Sequence, residues 1–144
     1  MKRTFRAFLI VVAIISAGFF AFFVYASDRQ APSVKVIAYY FHGAARCPTC
    51  HKLEQYSKEA IETNFKDKLA SGKLEYQVVN VEDKGNERYA RDYQLYTKSL
   101  ILSLVIDGKE TKWKNLDKIW EYVGNKQRFL DYVKSGVADF LKES

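Results

Sequence analysis

The chain holds two cysteines and two histidines, and all four fall in one stretch, YYFHGAARCPTCHKLEQY, from Tyr39 to Tyr56. Cys47 and Cys50 stand two residues apart, His51 follows directly, and His42 lies five residues before Cys47. A Cys-x-x-Cys-His string supports three chemistries: a redox dithiol, the attachment of a c-type haem, or half of a soft-metal site.

A haem needs an axial ligand from His51 and a second from Met or His. The one Met is Met1, which leaves His42 alone for that task. Small haem proteins are mostly helical, whereas this chain carries at least three strand patterns, so haem fits poorly. A metal set of His42, Cys47, Cys50 and His51 suits Zn(II) or Cu(I) by donor type. Yet a residue following Cys50 on a helix points about 100° around from it. The blander account makes His42 the end of a strand and His51 a half-exposed helix residue. A Cys-x-x-Cys loop is too short for a bridge across it to constrain much of the unfolded chain, which weighs against an inert stabilising disulfide in a binding module.

The dithiol reading has a physical basis. Pro48 suits the first turn of a helix, since its φ is fixed and its missing N–H would have been an orphan there. That sets Cys47 at the N-cap and Cys50 one turn in. A sulfur at the N-cap faces free backbone N–H groups and the positive end of the helix dipole, which favour thiolate over thiol. Cys47 is therefore expected to be the attacking nucleophile, Arg46 to add positive charge beside it, and Cys50 to resolve the mixed disulfide. Pro48 and Thr49 are expected to tune the redox poise.

The elements that must position this pair follow from periodicity. Val34 to Phe41, VKVIAYYF, is rich in β-branched and aromatic residues and reads as a buried strand ending in the loop HGAAR. Leu53, Tyr56, Ala60, Ile61, Phe65 and Leu69 then keep helical spacing until Ser71-Gly72. Leu74 to Val81 is a second strand, and Glu87 to Tyr96 a short helix with Tyr89, Tyr93 and Tyr96 on one side. Leu100 to Ile106 is a third strand, Asp107-Gly108 a hairpin turn, and Thr111 to Lys114 the antiparallel return. The tail is helical over Leu116 to Leu141, with a break at Gly124. This order, β, α, β, α, β, β, α, predicts an α/β domain: a mixed sheet, first two strands parallel, with helices on both faces. Tyr39, Tyr40, Trp113, Trp120 and the tyrosine stripe are expected in the core.

Upstream, Lys2, Arg3 and Arg6 precede Ala7 to Ala26, 20 residues without a charge. At helical rise that span covers about 30 Å, the hydrocarbon thickness of a bilayer. Its length favours an uncleaved anchor over a signal peptide, although Val24-Tyr25-Ala26 offers small residues near a cleavage point. The basic flank keeps the N-terminus in the cytoplasm and sends the rest across. The expected organisation is an anchor or signal peptide over 1–26, a linker over 27–33 and one domain over 34–144. Of the 23 Lys+Arg, three precede the span; the remaining 20 face 17 Asp+Glu, too mild and scattered a surplus to point to nucleic acid.

Four stretches carry a resemblance: YYFHGAARCPTCHKLE, VVNVED, YQLYTKSLILS and NLDKIWEYVGNKQRFLDYV. From Val34 to about Leu141 the chain resembles a thioredoxin-fold protein, and more narrowly a bacterial thioredoxin-like family labelled as a nitrophenyl-compound nitroreductase subunit of the arsenic-gene-associated type. The resemblance implies a thioredoxin-like fold and thiol-disulfide exchange through Cys47 and Cys50. The chain shows no Gly-rich dinucleotide fingerprint and no evident flavin site, so no cofactor beyond the dithiol is expected. Ordinary thioredoxins carry a Trp before the first cysteine, a buried Asp further upstream and a cis-proline before the third strand. Here Arg46, Phe41 and Thr97-Lys98-Ser99-Leu100 occupy those places, with Ser99 expected nearest the cysteines. No internal base for Cys50 is then evident, and the dithiol is more open to a metal. The expected activity is exchange with protein thiol or disulfide partners on the extracytoplasmic side, fed by a membrane electron-transfer partner. The alternative is a Zn or Cu carrier built on the same cysteines with His42 and His51.

Overall fold

The computed structural model of the protein describes residues 33–143. The anchor expected over 1–26, and the linker apart from Ser33, lie outside these residues. Among the described residues no helix is long and apolar enough to cross a membrane.

Nine elements follow in chain order. Val34–His42 is β1, Pro48–Asn64 is α1, Lys66–Ala70 is α2 and Leu74–Asn80 is β2. Glu87–Asp92 is α3, Ser99–Ile106 is β3, Lys109–Asn115 is β4, Ile119–Tyr122 is α4 and Lys126–Lys142 is α5. The sheet order is β2-β1-β3-β4. β1 and β2 run parallel, from Val36 opposite Leu74 to His42 opposite Asn80, joined by the α1–α2 crossover. β3 lies antiparallel to β1, with Ser99 opposite Phe41, and β4 antiparallel to β3. The β3–β4 turn is made by Asp107 (φ 51°) and Gly108 (φ 77°). Two successive left-handed residues are what a two-residue type I′ hairpin demands.

Alternate residues of the strands build two different interiors. Val36, Ala38 and Tyr40 of β1 join Leu100, Leu102 and Leu104 of β3 beneath α1 and α5, which add Leu53, Ile61, Phe129 and Val133. The opposite face gathers Phe41, Ile101 and Tyr93, with Tyr39, Val79 and Tyr89 against them, under the short α3. Helices thus cover both faces, unequally.

Three expectations need correction. The helix after Cys50 does not run unbroken to Ser71-Gly72. Phe65 (φ −130°, ψ 32°) caps α1 and opens α2, and this bend lets both Phe65 and Leu69 reach the core. The helix from Glu87 ends at Asp92, because Gln94 turns the chain at φ 52°. Tyr96 therefore leaves the stripe of Tyr89 and Tyr93 and stands 95% exposed. Trp113 and Trp120 are 38% and 37% exposed rather than core. Trp120 has a polar reason to stay at the surface: its Nε1–H donates to the Lys98 carbonyl at 2.8 Å.

Candidate active site

The site begins where β1 ends. β1 carries the chain to His42, a short loop returns it, and α1 starts at Pro48 with Cys47 as N-cap in extended conformation (φ −101°, ψ 165°). The Cys47 Sγ accepts from the Cys50 backbone N–H at 3.2 Å, so the sulfur takes the capping position that a Ser or Asp oxygen usually fills. Cys47 and Cys50 are joined as a disulfide, their Cα atoms 5.0 Å apart. The two sulfurs are unequal in access: Cys47 is exposed, whereas Cys50 is 2% exposed, turned inward on the first turn of α1. Pro48 is exposed beside Cys47 and Thr49 is half-buried.

Beneath the pair lies a polar cluster that sequence reasoning missed. The Tyr40 hydroxyl, buried on β1, donates to the Cys50 carbonyl at 2.8 Å. Arg46 forms an ion pair and a hydrogen bond through its guanidinium with the Glu54 carboxylate, both side chains mostly shielded. Tyr76 of β2 donates to the Glu54 carbonyl at 3.4 Å. Burial pushes the phenols of Tyr40 and Tyr76 well above their ordinary value, with the Glu54 charge adding in the same direction and Arg46 opposing. Both stay neutral donors at any working pH. The signal for Glu54 was present in the spacing, since a residue four after Cys50 shares its face of the helix one turn on. Tyr40 read only as core, because a strand pattern does not say where a hydroxyl lands.

The remaining predicted residues are dispersed around this centre. Ser99 is buried at the start of β3 opposite Phe41, on the last pairs before the loop to Cys47, and its Oγ donates to the Thr97 carbonyl at 3.0 Å. His42 ends β1 and directs its Nδ1–H to the Gly43 carbonyl at 2.9 Å. His51 is exposed on α1. Among the described residues no group of three or more His, Cys, Asp or Glu side chains comes together that could hold a metal, so His42, Cys47, Cys50 and His51 are not assembled as a ligand set. Phe41 points to the α3 face and stacks with Tyr39 at 5.4 Å.

No protein-family model matches the chain, and no curated protein does. Among solved structures it is similar to a malarial protein at 18% identity over 56% of this chain and 80% of that one, with a TM-score of 0.38. Fasciola hepatica thioredoxin matches at 21% identity over 64% and 81% of the two chains, also with a TM-score of 0.38. A cysteine-to-serine mutant of Entamoeba histolytica thioredoxin matches at 20% over 60% and 80%, TM-score 0.36. Likeness at this level carries no function. The mixed sheet, with a parallel β1–β2 pair and a Cys-x-x-Cys opening the helix after β1, stands on its own geometry and has the parallel first pair and closing hairpin expected from periodicity.

Proposed function

We propose that the chain is a thiol-disulfide oxidoreductase working through Cys47 and Cys50 on protein partners. The observation that carries this reading is the inequality of the two sulfurs: one exposed at a helix N-cap, the other buried a turn behind it. In the reducing direction the Cys47 thiolate attacks a partner disulfide, breaking that S–S bond, forming a mixed disulfide and releasing one partner thiolate, which takes a proton. The Cys50 thiol then loses its proton and its sulfur attacks Cys47, releasing the second partner thiol and closing the Cys47–Cys50 bond. Two electrons pass from the dithiol to the partner, and the oxidising direction is the reverse. The helix N-terminus favours the Cys47 thiolate, while Pro48 and Thr49, between the two cysteines, tune the redox poise.

The charge-free span at residues 7–26 supports tethering with the domain outside the cytoplasm. A reductase there needs electrons delivered through the membrane, and tethering to the same bilayer raises the effective concentration of the donor. The four stretches quoted above support placement in the arsenic-gene-associated branch, whose nitroreductase label this site does not need.

The test is a glutathione redox titration of the full chain, with Cys50→Ser as a trapping variant. The expected results are a reversible two-electron transition and mixed disulfides that accumulate at Cys47. A chain that binds zinc or copper stoichiometrically and reacts with no thiol probe replaces this reading with the metal carrier.

A further inference from the structure

We propose that Glu54 is a positioning residue for the dithiol: by pairing with Arg46 it withholds positive charge from Cys47, so the Arg46–Glu54 pair sets the acidity of the Cys47 thiol and with it the redox poise. This deepens the exchange reading and rests on it.

The argument starts from chain placement. Arg46 immediately precedes the nucleophile, where a free guanidinium would add to the helix N-terminus in stabilising the Cys47 thiolate. Its charge is instead engaged by a carboxylate one turn along the same helix from Cys50. The two side chains are only 22% and 28% exposed, so solvent and salt screen the pair less than a surface bridge. The neighbours fix its place. Tyr40 from β1 and Tyr76 from β2 donate to carbonyls on the same two turns of α1, and both are neutral. Of the other charges near it on α1, Lys58 lies 3.9 Å from Glu62, Glu59 takes Lys126 of α5 at 2.8 Å, and Lys52 is exposed. His51, one turn before Glu54, is exposed.

A second observation points the same way. The Nε of Arg46 is buried and has no hydrogen-bond partner. A buried donor left unmade costs free energy, and the disulfide form bears that cost. Opening the disulfide creates a sulfur anion on the very next residue, an acceptor of the charge type this donor wants. Arg46 thus favours the reduced thiolate form and a more oxidising pair, and Glu54 moderates it. The acidic partner of Arg46 comes from the dithiol's own helix.

The experiment measures the alkylation rate of Cys47 against pH in the full reduced chain, with the glutathione equilibrium as second readout. Glu54→Gln is expected to move the profile to lower pH, raising the rate at pH 6 about threefold or more, and to make the pair more oxidising. Arg46→Met is expected to move both in the opposite sense, and the double variant to return to within about twofold of wild type. A purely structural pair would not give opposite signs. Should Glu54→Gln fail to fold, Arg46→Met against Arg46→Lys reads the same coupling, with Lys retaining most of the wild-type rate. Profiles that stay in place, or shift together, while wild-type Cys47 reacts normally, overturn this inference alone. A wild-type thiol that does not react overturns the exchange reading as well.

Discussion

The two faces of the sheet are cut from the same strands, residue by residue, and end up with different physics. Beneath α1 and α5 the strands present Val36, Ala38, Leu100 and Leu102, all fully buried. Beneath α3 they present Ile37, Tyr39, Ser103 and Val105 beside a cavity of about 410 Å³ that Tyr93 and Glu110 also line. The cause is helix length. A 17-residue helix runs about 25 Å, close to the roughly 30 Å of a nine-residue strand. The six residues of α3 cover only about 9 Å. The long-helix face can therefore be mostly apolar, its few polar groups hydrogen-bonded to α1, and it is the face that anchors the dithiol helix. The short-helix face keeps water within reach and uses tyrosines, whose rings pack while their hydroxyls find partners. Rigidity under Cys50 and tolerance on the far side are two consequences of one difference in cover.

The sharpest way to break the comparison is to truncate one large ring on each face. Phe129 of α5 is fully buried and meets Tyr56 edge-on at 5.5 Å. Phe129→Ala is expected to cost about 3–5 kcal/mol, because the long-helix face has no room to collapse into the hole. Tyr39→Ala, opposite, removes a half-buried ring and is expected to cost no more than about half of that. Urea midpoints of the two variants decide it. Equal losses would mean that both faces are packed alike.

A smaller effect tests the polar character of the α3 face. The Glu110 carboxylate accepts from the Tyr93 hydroxyl at 2.5 Å and from the Ser103 hydroxyl. Burial, and then Glu110, push the Tyr93 phenol well above its ordinary value, so it stays a donor at neutral pH. Glu110→Leu leaves the buried Ser103 hydroxyl without its acceptor and is expected to cost about 1–3 kcal/mol. Tyr93→Phe, which removes one donor and leaves Glu110 bonded to Ser103, is expected to cost about 1 kcal/mol. The paired replacement Ser103→Ala with Glu110→Leu should recover part of the loss, as read in the same denaturation series.

These contrasts also explain what could be read from the sequence. The strands and their order were legible because Val, Ile and Tyr cluster between turn residues, and Asp107-Gly108 leaves few alternatives to a tight hairpin. The cap at Cys47 was legible because Pro48 marks a first turn. The break at Phe65 was not, since no Gly or Pro announces it and only the core beyond makes the bend favourable. Tyr96 kept helical spacing from Tyr93, yet the left-handed Gln94 between them took it off the helix. Glu54 looked like one more solvated acid among the lysines of α1. Its meaning depends on where the HGAAR loop brings Arg46, and loop paths are what periodicity cannot supply. The pairing of Ser99 with Phe41 likewise needed the β1–β3 register.

The smallest expected effect lies at the edge of the open face, where Lys35 of β1 meets Glu75 of β2 at 2.6 Å. The hydrogen bond from Lys35 holds the Glu75 carboxyl below its ordinary value of 4.5, against a weaker opposing push from burial. A carboxyl whose folded value is depressed binds its proton more readily in the unfolded chain. Its contribution is therefore complete above about pH 4.5 and is lost as pH falls through the lower folded value. Both side chains are more than a third exposed, so solvent screening limits the pair to a few tenths of a kcal/mol. Glu75→Gln is expected to lower stability slightly at pH 7 and by less at pH 3, and added salt should shrink the difference at pH 7. An equal loss at both pH values would show that Glu75 acts through packing on the exposed edge. In that case the α3 face would be held together more like its apolar opposite than the distribution of charge implies.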